Sequence, residues 1–314
     1  MAENKKMLVG MSYARSFKEL GRWKAFLNEL GIDYVISDKN LHEAAASADK
    51  RFRYSQEYCF TRRATLGEYV YLVEEVGCNI LMAASRVVEG NAKCNTIRYV
   101  PAQIAEYYRE KNIKVIDACI STNKTKAFEQ LKCVARYLVD DEERIVNAAS
   151  AWLEYAQENV KKRVLVEGAP TIFIIGSASF HFSLEGPSYM TRYLTEKLNV
   201  NLVGPKTASD KKNAKIYREA YAKVYHKNLL NVDRMTYWDR PTILGTLLNV
   251  KESIDGVIFV RDKYCACKIE EVDFLQQIID RENIPNIVID YREENRTTTE
   301  TILETFVEMI RNKS

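Results

Sequence analysis

What this sequence has little of sets the first limits on what it does. It holds three histidines, and it contains no H-E-x-x-H pair, EF-hand loop or G-x-G-x-x-G turn. Zinc hydrolysis, calcium sensing and dinucleotide binding therefore have no motif to support them. The Walker pattern and the G-x-S-x-G elbow are missing as well. Unbroken apolar stretches such as Ile172 to Ile175 are far too short to cross a bilayer. Met1 to Lys6 is polar and runs straight into an apolar segment, without the apolar region and small-residue cleavage site of a signal peptide. An excess of one charge is also lacking: 46 Lys and Arg face 43 Asp and Glu, for a formal net charge of +3. So even a balance announces neither a nucleic acid nor a membrane as partner. These absences lead to the expectation of a cytoplasmic protein with no nucleic-acid and no membrane partner.

What is there suits an ordinary globular chain. Hydrophobic residues make up 46% and charged residues 28% of 314 residues, which excludes disordered, collagen-like and coiled-coil classes. At about 150 residues per domain the length predicts two domains. A chain of this size buries roughly three quarters of its unfolded surface and needs no staples to hold a core.

Short apolar runs alternate with amphipathic stretches through both halves. Met7 to Met11 reads as a strand and Ser16 to Leu30 as a helix, with Phe17, Leu20, Trp23, Phe26, Leu27 and Leu30 at helical spacing. Ser16 is placed as its N-cap and Gly31 as its stop. Asp33–Ile36, Asn79–Ala83 and Lys114–Ala118 follow as strands, while Thr61–Val76, Pro101–Lys111, Lys124–Val139 and Asp141–Lys162 follow as helices. The polar stretch from Asp38 to Glu57 reads as a loop or weak helix. The second half restarts with the strand Thr171–Gly176. Helices are expected near Pro187–Leu198, Asp210–Leu230, Pro241–Ser253, Lys268–Arg281 and Thr297–Asn312, and strands at Val200–Val203, Gly256–Val260 and Asn286–Asp290. This alternation predicts an α/β fold of two doubly wound parallel-sheet domains, Rossmann-like or flavodoxin-like, facing a central cleft. The expected boundary divides residues 1–150 from 151–314.

Seven cysteines, at 59, 78, 94, 119, 133, 265 and 267, are odd in number and widely spread. In an unexported chain they predict reduced thiols rather than a disulfide framework. Such thiols are either buried small hydrophobes or soft metal ligands. In open α/β sheets the ligand crevice lies beyond the carboxyl ends of the strands. Cys265 follows a predicted strand by five residues, Cys94 follows another through the Gly90 loop, and Cys59 precedes a helix whose N–H groups favour an anionic sulfur. Cys78 and Cys133 fit simple packing, and Cys119, directly after a strand, is intermediate. No CxxC pair occurs, so the spacing permits a cluster without establishing one.

Three stretches carry a family resemblance. The first runs from Val9-Gly10-Met11 through Trp23 to Gly31 and on to Val35-Ile36-Ser37-Asp38. The second is Tyr58-Cys59-Phe60, continuing to Ala83 and then Cys94. The third is Asp255 to Phe259 leading to Cys265, Phe274-Leu275, Ile284-Pro285 and the closing helix. In this succession the chain resembles the 2-hydroxyacyl-CoA dehydratase and benzoyl-CoA reductase subunit family, in its activase-related branch. The resemblance implies a 4Fe-4S cluster on Cys59, Cys94 and Cys265, with one iron open to an acyl-CoA substrate. It also implies an ATP-dependent activase or a homologous subunit as partner, delivering one electron for reduction or dehydration. The chain departs from the family in having Thr61 and Asn95 where Pro is usual, and in the extra thiol of Cys267. A fourth ligand from Cys267 would make it an electron carrier; Cys119 and Cys267 together would suit a double-cubane reductase. The rival reading is a non-catalytic two-domain module that binds a ligand or partner.

Other signals are weaker. Gly176-Ser177-Ala178-Ser179 at a strand end could present N–H groups to a phosphate or thioester oxygen, with His181 near enough to donate a proton. Ser177 and His181 are thus the candidate catalytic residues. Lys50, Arg51, Arg53, Arg62 and Arg63 form a cationic cluster that reads either as a contact for coenzyme A phosphates or as a solvated face. Tyrosines such as Tyr217, Tyr221 and Tyr225 read as packing residues.

Overall fold

The computed structural model describes residues 7–16, 19–53, 55–87, 99–121, 123–155, 165–176, 189–204, 247, 250–261, 266–290 and 296–313. The chain divides into two compact units, Met1–Val160 and Lys161–Ser314.

In the N-terminal unit the strands are β1 (Val9–Met11), β2 (Tyr34–Ile36), β3 (Ile80–Met82), β4 (Ser85–Val87), β5 (Lys114–Ile116) and β6 (Cys119–Ser121). The helices are α1 (Tyr13–Ser16), α2 (Leu20–Glu29), α3 (Leu41–Arg51), α4 (Phe60–Glu74), α5 (Val100–Tyr107), α6 (Lys124–Arg136) and α7 (Glu142–Glu154). Among the described residues the main sheet has the order β2-β1-β3-β5, every pair parallel. After a two-residue break, β4 and β6 pair in parallel as the onward course of β3 and β5.

Strand geometry sends alternate residues to opposite faces, and both faces here are apolar. Val9, Met11, Ile80, Met82 and Ile116 pack on one side with Trp23 and Phe26 of α2, Leu131 of α6 and Trp152 of α7. Leu81 points the other way, onto Leu66, Tyr69 and Val70 of α4 and Ile104 of α5. Helices therefore cover both faces, as a doubly wound fold requires.

The C-terminal unit contains β7 (Thr171–Gly176), α8 (Tyr189–Arg192), β8 (Asn201–Val203), β9 (Gly256–Arg261), α9 (Ala266–Arg281), β10 (Asn286–Asp290) and α10 (Arg296–Arg311). Its described sheet has the order β10-β9-β7-β8, again all parallel. Ile172, Ile174, Ile258 and Val260 meet α8 and α10, while Phe173, Ile175, Val257 and Phe259 meet α9. Taken in chain order, each unit places its second strand beside the first and its third and fourth on the first strand's other side. Both are α/β domains with a switch point between the first and third strands.

Three local expectations change. The polar stretch after Asp38 is a well-formed helix: the Asn40 side chain accepts from the His42 and Glu43 N–H groups, and Leu41, Ala44, Ala45 and Ala48 are buried. Leu41, Ala44, Ala45 and Ala48 stand at helical spacing, a stripe made faint by the small size of alanine. Ser16 ends α1, its hydroxyl donating to the Ser12 carbonyl, and Glu19 stands at the N-cap of α2. The helix expected over Pro187–Leu198 is described from Tyr189 and widens into a π-turn at Tyr193–Lys197. Gly31 does stop α2, in the left-handed region at φ 59°. The helix expected at Asp210–Leu230 lies outside the described residues.

Gly67 on α4 lies against the backbone of α3, where a Cβ would come within 1.7 Å of the Ala44 carbonyl oxygen. No side-chain rotation relieves a clash with backbone, so the two helices would have to part. Gly67→Ala is expected to destabilise the N-terminal unit by about 3 kcal/mol, measured by urea unfolding.

Candidate functional site

The described part of the N-terminal unit concentrates its buried polar chemistry at the carboxyl edge of the sheet. Ser12 directly follows β1, Ser37 follows β2, Ala84 lies past β3 and Asp117 lies past β5. Glu68 reaches this edge from the middle of α4. Glu68 and Ser12 are both fully buried.

Glu68 holds the α1 turn in place. The Ser12 hydroxyl donates to Glu68 Oε2 at 2.5 Å, and the backbone N–H groups of Tyr13 and Ala14 donate to its two carboxyl oxygens at 3.1 Å each. The carboxyl thus does from another helix what an N-cap side chain does locally. Burial pushes the Glu68 pKa up to about 8, against the pull of these donors and of the Ser37 hydroxyl.

Arg15 connects the remaining strand ends. Its side chain is 3% exposed, its Nε–H donates to the Ala84 carbonyl at 3.0 Å, and its Nη2 lies 3.8 Å from Asp117 Oδ1. Both partners sit where β3 and β5 break off before β4 and β6 resume. The break frees a carbonyl and a side chain from the ladder, and the guanidinium takes them. Asp117 is 50% exposed and gives this net its opening to solvent.

Three members of the cationic cluster, Arg51, Arg62 and Arg63, are engaged within their own unit. Arg63 pairs with Asp49, Arg51 with Glu74 at 3.0 Å, and Arg62 stacks 3.6 Å over the Tyr58 ring while donating to Gln103 at 2.8 Å. At the sheet's amino edge a cleft of about 790 Å³ is lined by Glu74, Cys78, Asn79 and Lys111, among others.

The cysteine set is placed as follows. Cys59 is buried at the N-cap of α4 and makes no capping hydrogen bond through its sulfur. Cys78 is buried before β3, with its sulfur near Gly10, and burial pushes its thiol up to about 11. Cys119 is half-buried in β6, and Cys133 is exposed on α6. Cys94 and Cys265 lie outside the described residues, as do Ser177 and His181. Cys267 falls in the first turn of α9, and its side chain is outside the description.

No family model and no curated protein matches the sequence. Among solved structures, one described as an Asp/Glu racemase from Yersinia pestis is similar at 13% identity, covering 97% of this chain and 99% of its own, with a TM-score of 0.25. An aspartate racemase homologue from Pyrococcus horikoshii OT3 is similar at 13% identity, covering 98% and 99%, with a TM-score of 0.23. The class that the sheets define is a two-domain α/β protein.

The expectation of an iron–sulfur, 4Fe-4S, metal-binding acyl-CoA lyase of the dehydratase type is corrected by the structure. Among the described residues no group of three or more His, Cys, Asp or Glu could hold a metal ion. A cluster needs sulfurs converging on one centre; of the expected ligands only Cys59 is described, and it forms no such group with the other described thiols, Cys78, Cys119 and Cys133. Among the described residues no helix is long and apolar enough to cross a membrane.

Sequence reasoning missed Ser12, Arg15, Glu68 and Asp117. Two signals could have found them. Ser12 and Asp117 follow apolar strands directly, and Glu68 is a charge inside the apolar run from Leu66 to Leu72.

Two outcomes follow from this geometry. Serine is a better N-cap than cysteine, so Cys59→Ser is expected to change stability by less than about 1 kcal/mol in thermal unfolding. Glu68 binds its proton more tightly folded than unfolded, so its contribution is complete below about pH 4.5 and is lost as pH rises toward about 8. Stability of the N-terminal unit should therefore fall by several kcal/mol across that window, and Glu68→Gln should flatten the fall, as urea titrations at successive pH values will read.

Proposed function

We propose that this chain is a two-domain α/β protein that binds a small polar molecule at the carboxyl edge of its N-terminal sheet. One observation carries the reading: Ser12, Ser37, Glu68, Arg15 and Asp117 form a polar net across the ends of four parallel strands, at the switch point where open α/β sheets receive ligands. Buried polar and ionic groups are a weak source of stability, which favours a role in recognition. Asp117 reaches solvent and offers acceptors, so the ligand class is a small molecule with amine or hydroxyl donors. Arg15 fixes where Asp117 stands. The first βα turn is closed to phosphate, because the Glu68 carboxyl already takes the Tyr13 and Ala14 N–H groups that such a ligand would use. We place the protein in the cytoplasm, where thiols such as those of Cys119 and Cys133 stay reduced.

The test is a thermal-shift panel of amino acids, amines, polyols and organic acids at pH 7. Donor-bearing members are expected to raise the melting temperature, and Asp117→Asn to weaken binding about tenfold, or 1.4 kcal/mol. A panel in which nothing moves the wild type, or in which Asp117→Asn responds equally, overturns the proposal.

A further inference from the structure

We infer that the ligand at the carboxyl edge of the N-terminal sheet is the amino-terminal end of an extended peptide, with its ammonium on Asp117 and its backbone paired to the open side of β4. This rests on the reading of that edge as a ligand site and names the ligand's class.

The open side of β4 comes from the way the sheet ends. β1 stops at Met11 and the chain turns away into α1, whereas β3 and β5 run on past their break as β4 and β6. The pairing keeps one offset through the break, with Met82 opposite Ile116 before it and Ser85 opposite Cys119 after it. Beyond Met11, therefore, the strand that lay beside β3 is missing from beside β4. Among the described residues β4 pairs with β6 alone.

A parallel strand turns the N–H and C=O groups of successive residues to opposite sides. The Ala83 N–H donates to the Ile116 carbonyl at 2.8 Å, on the β5 side. The Ala84 carbonyl faces the other way and accepts from Arg15 Nε at 3.0 Å. Arg15 thus fills the first rung that a longer β1 would have made. Arg86 is the next residue in step with Ala84, so its N–H and C=O turn to that same side about 7 Å further along. A bare strand edge is a template for another extended chain. Two features select a peptide amino terminus. Only a peptide-like backbone offers a donor and an acceptor at strand spacing to Arg86, and the half-exposed Asp117 carboxylate, 3.8 Å from Arg15 Nη2, complements an ammonium at the start of that run. A simple amine or polyol reaches Asp117 but leaves β4 bare.

Calorimetric titration of the full chain at pH 7 with trialanine amide tests the pairing. Its comparators are two analogues with an ester oxygen in place of the second or the third residue's N–H, the N-acetyl form, and propylamine. Successive N–H groups of an extended peptide face opposite ways. One ester analogue is therefore expected to bind about fivefold to tenfold weaker, by one lost hydrogen bond, and the other within about twofold of the parent. Acetylating the amine, or Asp117→Asn, should weaken the parent about tenfold. Ester analogues that behave alike, or propylamine binding as tightly as the tripeptide, overturn the pairing; amine binding that Asp117→Asn weakens would then still uphold the site. No binding by any amine or polyol overturns both. A second copy is the other occupant such an edge invites, and concentration-dependent dimerisation in sedimentation that the tripeptide leaves unchanged also overturns the pairing.

Discussion

A carboxyl group sealed from water must either find donors or hold its proton, and Glu68 does both. It reaches from α4 to the turn after β1, where it takes two backbone N–H groups and a hydroxyl. That contact sets the direction in which the chain leaves the sheet. It also brings Arg15 to the place where β3 and β5 interrupt their ladder, so the guanidinium can serve a freed carbonyl and Asp117 together. Without the buried carboxyl the α1 turn would lack a cap and Arg15 would lack a fixed origin. The close approach of α3 and α4 at Gly67 belongs to the same constraint, because it holds in place the helix that carries Glu68.

This arrangement inverts a familiar use of the first βα turn. In many doubly wound domains the turn's N–H groups face outward to a phosphate. Here they face inward to the protein's own side chain, and the polar groups left for a visitor are those of Asp117 at the rim. The cations around α3 and α4 turn inward as well, to Asp49, Glu74, Tyr58 and Gln103. The described cysteines sit apart, as a helix cap, a packing residue behind β1, a strand residue and an exposed helix residue.

Much of the fold was legible from periodicity. Strands at Thr171–Gly176 and Asn286–Asp290 match the expected spans, and the helices that cover them carry their apolar residues at helical spacing. The segment after Asp38 was not legible. Its helix rests on an asparagine cap and on Leu41, Ala44, Ala45 and Ala48 at helical spacing, a stripe whose small alanines stand out little among polar neighbours. The short α1 turn was also hidden, because its cap comes from a residue more than fifty positions away.

The sequence by itself determined the alternating strands and helices, their apolar faces and hence the α/β class, since those depend on local period and burial preference. Only the tertiary structure decided which polar residues meet. Glu68 and Asp117 lie far in the chain from each other and from Ser12 and Arg15, and none of their neighbours in sequence marks them as partners. They come together because parallel strands end at one edge and helices pack back across it, which is a property of the folded sheet.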